Sequence, residues 1–147
     1  MELLLMTHKS GKVAERVAHL KKDGDVDPRY AGFFECFNAG EYYESHDVLE
    51  DLWLECRGGE QHEFYKALIQ LAGAFVHLQK DRLPAAGKLF RLCRGYLQRF
   101  PSRYEKLDVA AVLRVIEDWH QRLENTNYSD NPLKSEPAPQ ISLLSSE

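Results

Sequence analysis

The longest apolar helical pattern in the chain runs from Gln61 to Lys80, and it limits the possible folds more than any other stretch. Phe64, Tyr65, Leu68, Ile69, Leu71, Ala72, Phe75, Val76 and Leu78 recur at helical spacing. They cover about half of the helix's circumference. Ala67, Gly73 and Ala74 are small enough to let a second helix approach, while Lys66, Gln70 and His77 draw a polar line along the back. A helix this apolar must be surrounded by others. The spacing therefore predicts an all-α, compact antiparallel bundle with this helix, the third of five, at its centre. No stretch alternates with a period of two, so no sheet is expected.

Four further helices fit around it. Asp27-Pro28 supplies an N-cap and a first-turn proline for a helix reaching about Phe37, with Tyr30, Phe33, Phe34 and Phe37 as its apolar face. In the turn Asn38-Ala39-Gly40, Gly40 can take the left-handed conformation, and Asn38 with Glu41 fits a capping arrangement for the second helix. That helix, Glu41 to Glu55, is broken by Arg57-Gly58-Gly59. Asp81 ends the central helix, and Pro84 opens a fourth that Pro101 stops. Asp108 caps a fifth, which turns Val109, Val112, Leu113, Ile116 and Trp119 inward. Short connections make sequential helices antiparallel hairpins. Residues 27–124 thus form the domain. Residues 1–26 are an arm or a short helix, with Val13, Val17 and Leu20 as a thin apolar stripe. Residues 125–147, rich in Asn, Ser and Pro, read as a disordered tail in which Ile141–Leu144 is the one apolar patch.

Composition removes several classes of function. With 147 residues, 44% apolar and 29% charged, the chain is an ordinary soluble domain. A net charge of −4 gives no general attraction for nucleic acid or an anionic membrane. The three cysteines, Cys36, Cys56 and Cys93, are odd in number and far apart, which predicts reduced thiols and a cytoplasmic setting. The Leu3–Met6 run is too short for a signal peptide, and nothing approaches the ~20 apolar residues of a membrane span. There is no P-loop, dinucleotide-binding glycine pattern, nucleophile elbow or zinc-protease helix.

Unusual polar residues concentrate on the second helix. His46 and Glu50 are four apart and Trp53 continues their row, at the shoulder of a stripe formed by Tyr42, Ser45, Leu49, Leu52 and Cys56. Glu44 lies near by, and Asp47 and Asp51 are expected to point toward water. A carboxylate one turn from an imidazole can orient it, and the pair can also supply two metal ligands. The alternative is that the two groups satisfy each other at the rim of the core while Trp53 packs, its indole N–H bonded to a neighbour. Gln70 and His77 join this constellation if the polar line of the third helix faces the second. Ser45 and His46 project about 100° apart and do not form a catalytic pair. His8, His19, His62 and His120 carry no partner pattern and read as surface residues.

Charge is also segregated. Residues 31–65 are acidic, whereas the fourth helix presents Lys88, Arg91, Arg94 and Arg99. Those four make an anion- or RNA-binding face the sharper reading; two solvated faces that attract each other, within or between subunits, are the plainer one.

The run Phe37–Trp53, FNAGEYYESHDVLEDLW, resembles the signature of the bacterial and archaeal domain-of-unknown-function family 309. So do Leu68-Ile69-Gln70-Leu71-Ala72 with His77-Leu78 and, more loosely, Ala85–Phe90. Together these span about residues 33–97. Asp47, Ala67 and Ala85 depart from the usual glutamate, glycine and glycine. The resemblance implies a compact all-helical domain and brings no activity with it. The expected function is a non-enzymatic binding or scaffold module for a protein or small molecule, with a homodimer among its assemblies. The competing expectation is a small enzyme or a metal- or ligand-binding protein built on Glu44, His46, Glu50, Trp53, Gln70 and His77. No cofactor is specified, and nucleic acid ranks last.

Overall fold

The computed structural model describes residues 11–20 and 26–145; His8 and the Leu3–Met6 run lie outside them. Five helices follow the expected order: α1 Pro28–Asn38, α2 Tyr42–Glu55, α3 His62–Gln79, α4 Leu83–Leu97 and α5 Val109–Asn125. Local chemistry sets their starts. The Asp27 carboxylate accepts the Arg29 N–H at 2.9 Å and that of Asp108 accepts the Ala111 N–H at 3.0 Å, each satisfying a donor that a helix's first turn leaves open. Gly40 is left-handed at φ 77°, as its position after α1 requires. Asn38 does not cap α2, which starts from Glu41 without a side-chain cap.

The bundle is all-α with α3 at its centre, packed between α2 and α4; α1 covers α2, and α5 covers α4. Phe75 on α3 has no exposed surface and contacts the rings of Phe37, Tyr42, Phe90 and Trp119, so one side chain ties four other helices to the centre. The Ser45 hydroxyl is buried and donates to the Phe33 carbonyl at 2.9 Å, a helix-to-helix stitch that takes it out of any chemistry. Arg29 bridges α1 and α2: it pairs with Asp27 at 2.9 Å, with Asp51 at 2.8 Å and with Glu55. Asp51 is therefore held by α1 and does not point to water.

Two features depart from the sequence-based expectation. A two-stranded antiparallel ribbon, β1 Arg103–Tyr104 and β2 Leu107–Asp108, precedes α5. Its turn residues Glu105 and Lys106 are both left-handed, at φ 50° and 58°, the conformation of tight hairpin turns. The ribbon is anchored by the Tyr30 hydroxyl, which donates to the Glu105 carbonyl at 2.7 Å, and by Tyr104 against Phe64 and Phe100. Second, where composition predicts a disordered tail, residues 126–145 return across the bundle. Tyr128 seats its ring over Gly87, where a Cβ would lie 2.5 Å from the ring, and its hydroxyl meets His120 Nε2 at 3.1 Å. Asn131 is buried under a 3₁₀ turn, Pro132–Lys134. Ile141 is buried too, and Asn38 both donates to its carbonyl and accepts its N–H, each at 2.8 Å. His120 is thus a core residue and not a surface one.

At the other end, residues 11–16 form a helical turn. Val13 and Val17 pack on Cys36 and Val48, and Arg16 pairs with Glu35 and Glu41 at 2.6 and 3.0 Å. No helix among the described residues is long and apolar enough to cross a membrane.

Candidate functional site

The polar line Lys66, Gln70 and His77 shares one face of α3 with His62 and Gly73, and this face is the floor of a groove walled by α2 and α4. The groove opens into a cleft of about 270 Å³ lined by Tyr43 and His46 from α2, by Ile69, Gln70, Gly73, Val76 and His77 from α3, and by Leu89 from α4. His46, Gln70 and His77 therefore converge. Glu50 and Trp53 do not line the cleft but continue the α2 wall beyond it. Trp53 stacks on His62 with ring centroids 4.9 Å apart, so His62 is part of the groove and not a free surface residue. Glu44 faces away, into a crease with Lys12, Val13, Arg16, Asp47 and Val48.

The polar atoms of this groove are short of partners. Among the described residues, five buried side-chain polar atoms have no hydrogen bond; four of them, Trp53 Nε1, His62 Nδ1, Gln70 Oε1 and His77 Nδ1, belong to the groove. An unpaired buried polar group costs about 1–3 kcal/mol. The expected bond to the Trp53 indole N–H is absent. Farther along, Lys66 Nζ donates to the Tyr96 hydroxyl at 3.0 Å and closes that part of the floor.

His46 sits between two carboxylates. Its Nδ1 is 3.2 Å from Asp47 Oδ1, and its Nε2 is 4.0 Å from Glu50 Oε2. Each of the three residues offers one ligand atom within 4.8 Å of the others. Asp47, expected to face water, is thus half-buried and part of the cluster. Oxygen and imidazole donors suit a borderline divalent ion, and a site with three protein ligands leaves a position open.

The basic residues of α4 are partly spoken for. Arg99 pairs with Glu63 at 2.8 Å and Arg94 approaches Glu117 at 3.8 Å. Arg91 donates to the Tyr128 hydroxyl at 3.5 Å. Lys88 is exposed.

Residues 30–89 match the model of the family described as Domain of unknown function (DUF309). The resemblance to DUF309 seen in Phe37–Trp53 and Leu68–Leu78 holds over this span, which contains every residue lining the cleft and excludes α5 and the C-terminal segment. No curated protein and no solved structure matches the chain. The DUF309 description assigns no activity. Of the cleft's lining, sequence reasoning missed Tyr43, Ile69, Val76 and Leu89 as site residues. Only Tyr43 left a signal, one turn before His46 in the same row.

Two imidazoles respond to this burial. His77, and His120 under Tyr128, are both held below the usual 6.5, chiefly by desolvation of the charged form. The unfolded chain then takes up these protons first as pH falls below 6.5, so stability falls with pH until the folded imidazoles also protonate. Melting temperatures measured from about pH 7.5 to 5 should decline through this window, and the decline should be shallower in His77→Gln. An equal slope in both proteins would refute the assignment.

Proposed function

We propose that the chain is a non-enzymatic binding module whose ligand seats in the cleft between α2, α3 and α4. One observation carries this reading. The cleft has an apolar lining, Tyr43, Ile69, Val76 and Leu89, and its floor residues Gln70 and His77 hold polar atoms without partners. Apolar walls with a few convergent polar groups are how small-ligand sites are made. The ligand that fits is a small, largely apolar molecule with one or two hydrogen-bonding groups. Among the described residues, Ser45 and the three cysteines are not set up as nucleophiles. Ser45 is used by Phe33, burial pushes the Cys36 thiol up to about 11 and the Cys93 thiol up to about 12, and Cys56 is raised as well, again mainly by burial.

The test is a fragment screen read by amide and methyl chemical shifts. Hits should perturb Tyr43, His46, Gln70, Val76, His77 and Leu89 together and disappear in Val76→Trp, which fills the cleft. Hits scattered over other surfaces, or unaffected by that substitution, would sink the reading.

A second reading, a metal site that serves a small enzyme, has its own observation in the three ligand atoms of His46, Asp47 and Glu50. Titration with zinc or manganese decides it: binding that His46→Ala abolishes would favour this reading, and no heat above the buffer blank would end it. RNA or anion binding through Lys88, Arg91, Arg94 and Arg99 would show a steep loss of affinity with salt, and its absence dismisses that reading.

A further inference from the structure

The two walls of the groove match each other in spacing and oppose each other in charge. Along α2 runs the row Tyr43, Asp47, Glu50, Leu54, exposed at Tyr43 and half-buried at the other three; along α4 runs the exposed row Lys88, Leu92, Gly95, Arg99, with the same intervals of four, three and four residues. Among the described residues, the only exposed large hydrophobics are Tyr43 at 56% and Leu92 at 41%, one on each row. A Cβ added at Gly95 would meet nothing within 4 Å, so the α4 row has a bare strip where another helix can approach closely. The hairpins α2–α3 and α3–α4 are both antiparallel, because Trp53 meets His62 at one end while His46 shares the cleft with His77, and Lys66 meets Tyr96 while Leu89 leans on Gly73. Hence α2 and α4 run in the same direction, and His46 of the one and Leu89 of the other line the same cleft.

We infer that a second copy of the chain covers this face, related by a two-fold axis parallel to α2 and α4. Such an axis lays the α2 row of each protomer along the α4 row of the other and keeps heights unchanged. Tyr43 and Asp47 of one copy then come level with Lys88 and Leu92 of its mate, and the contact is made twice, as a closed symmetric dimer requires. The opposite pairing, α2 on α2, would set the acidic row against itself and leave Tyr43 and Leu92 uncovered by apolar surface. The inference does not rest on the cleft having a ligand. It does place the cleft beneath the interface, so that any ligand in it would be sealed by the second copy.

Sedimentation velocity of the full chain tests this, at low salt and up to about 100 μM, where even a ~10 μM dimer is well populated. A species of twice the 17.0 kDa chain mass is expected. Leu92→Glu should weaken association about tenfold or more by burying a charge in an apolar contact. Lys88→Glu should weaken it strongly at low salt and less at high salt, since it sets a carboxylate against the acidic row. Both residues are exposed, and unchanged melting temperatures at dilute monomer concentration would show that folding is intact. A monomer at every concentration overturns the inference. So does a dimer that neither substitution weakens, because it would be built on another face.

Discussion

Phe75→Ala is expected to lower stability by about 3–5 kcal/mol, the usual range for removing a fully buried aromatic ring. Two effects add. The ring's transfer from water is lost, and a cavity opens that its neighbours cannot easily fill. Phe37, Tyr42, Phe90 and Trp119 stand 5.0 to 5.6 Å from the ring's centre, and each is fixed on a different helix. Collapse of the hole would have to move four helices at once. At roughly 2–4 °C per kcal/mol for a domain of this size, the melting temperature should drop by about 10 °C or more. Phe75→Leu keeps most of the volume and should cost roughly a third as much. Chemical denaturation of the three proteins would measure this. A loss below about 1 kcal/mol for the alanine variant would mean that α3 is not the shared centre of the bundle.

Asn131→Ala is expected to cost about 2–3 kcal/mol, an unusually large effect for an asparagine outside the helices. The Asn131 amide donates to the Leu78 carbonyl at 2.6 Å and to Asp81 at 3.0 Å, and its oxygen accepts the Leu133 N–H at 3.0 Å. Leu78 is in the last turn of α3, and its carbonyl also accepts the Asp81 N–H at 3.1 Å from just beyond the helix. Removing the amide leaves that carbonyl with the Asp81 N–H alone and breaks the bonds to the Asp81 carboxylate and the Leu133 N–H. Asn131→Asp should be at least as harmful, since it turns an oxygen toward the Leu78 carbonyl and the Asp81 carboxylate. The distinguishing readout is limited proteolysis: cleavage within residues 126–145 should accelerate in both variants, while the bundle resists. Unchanged cleavage would show that Asn131 does not hold the segment down.

These two residues mark the limits of what the sequence discloses. The centrality of α3 was legible because a helix that is apolar over half its surface has few places to go. The caps at Asp27 and Asp108 were legible because their chemistry is local. Asn131 and Ile141 were not, because a polar, proline-containing segment reads as solvent-seeking. Here its asparagine satisfies a backbone group, and its one isoleucine finds a slot formed by elements far away in the chain. The ribbon at residues 103–108 was hidden for a related reason. Two-residue strands are too short to alternate, and Glu105-Lys106 carries none of the Asn-Gly chemistry that announces a tight turn.

The candidate site divides in the same way. The row His46, Glu50, Trp53 follows from helix geometry, and the meeting of His46 with Gln70 and His77 follows once α3's polar line faces α2. That Glu44 turns away, that Asp47 joins His46 and that Asp51 is held by Arg29 depends on how the N-terminal turn and α1 cross α2. Spacing within one helix carries no information on that crossing.

The bonds between Asn38 and Ile141 join residues 103 apart in a bundle whose other helices meet mainly their neighbours in sequence. Neighbour-to-neighbour packing closes short loops and can proceed as each hairpin leaves the ribosome. The clasp cannot. It must wait until residue 141 has been made, so α1 spends most of synthesis packed on α2 with its C-terminal turn unsealed. Assembly of this protein therefore has a direction in time: the centre is laid down early, and a stretch translated after the whole bundle returns to lock α1.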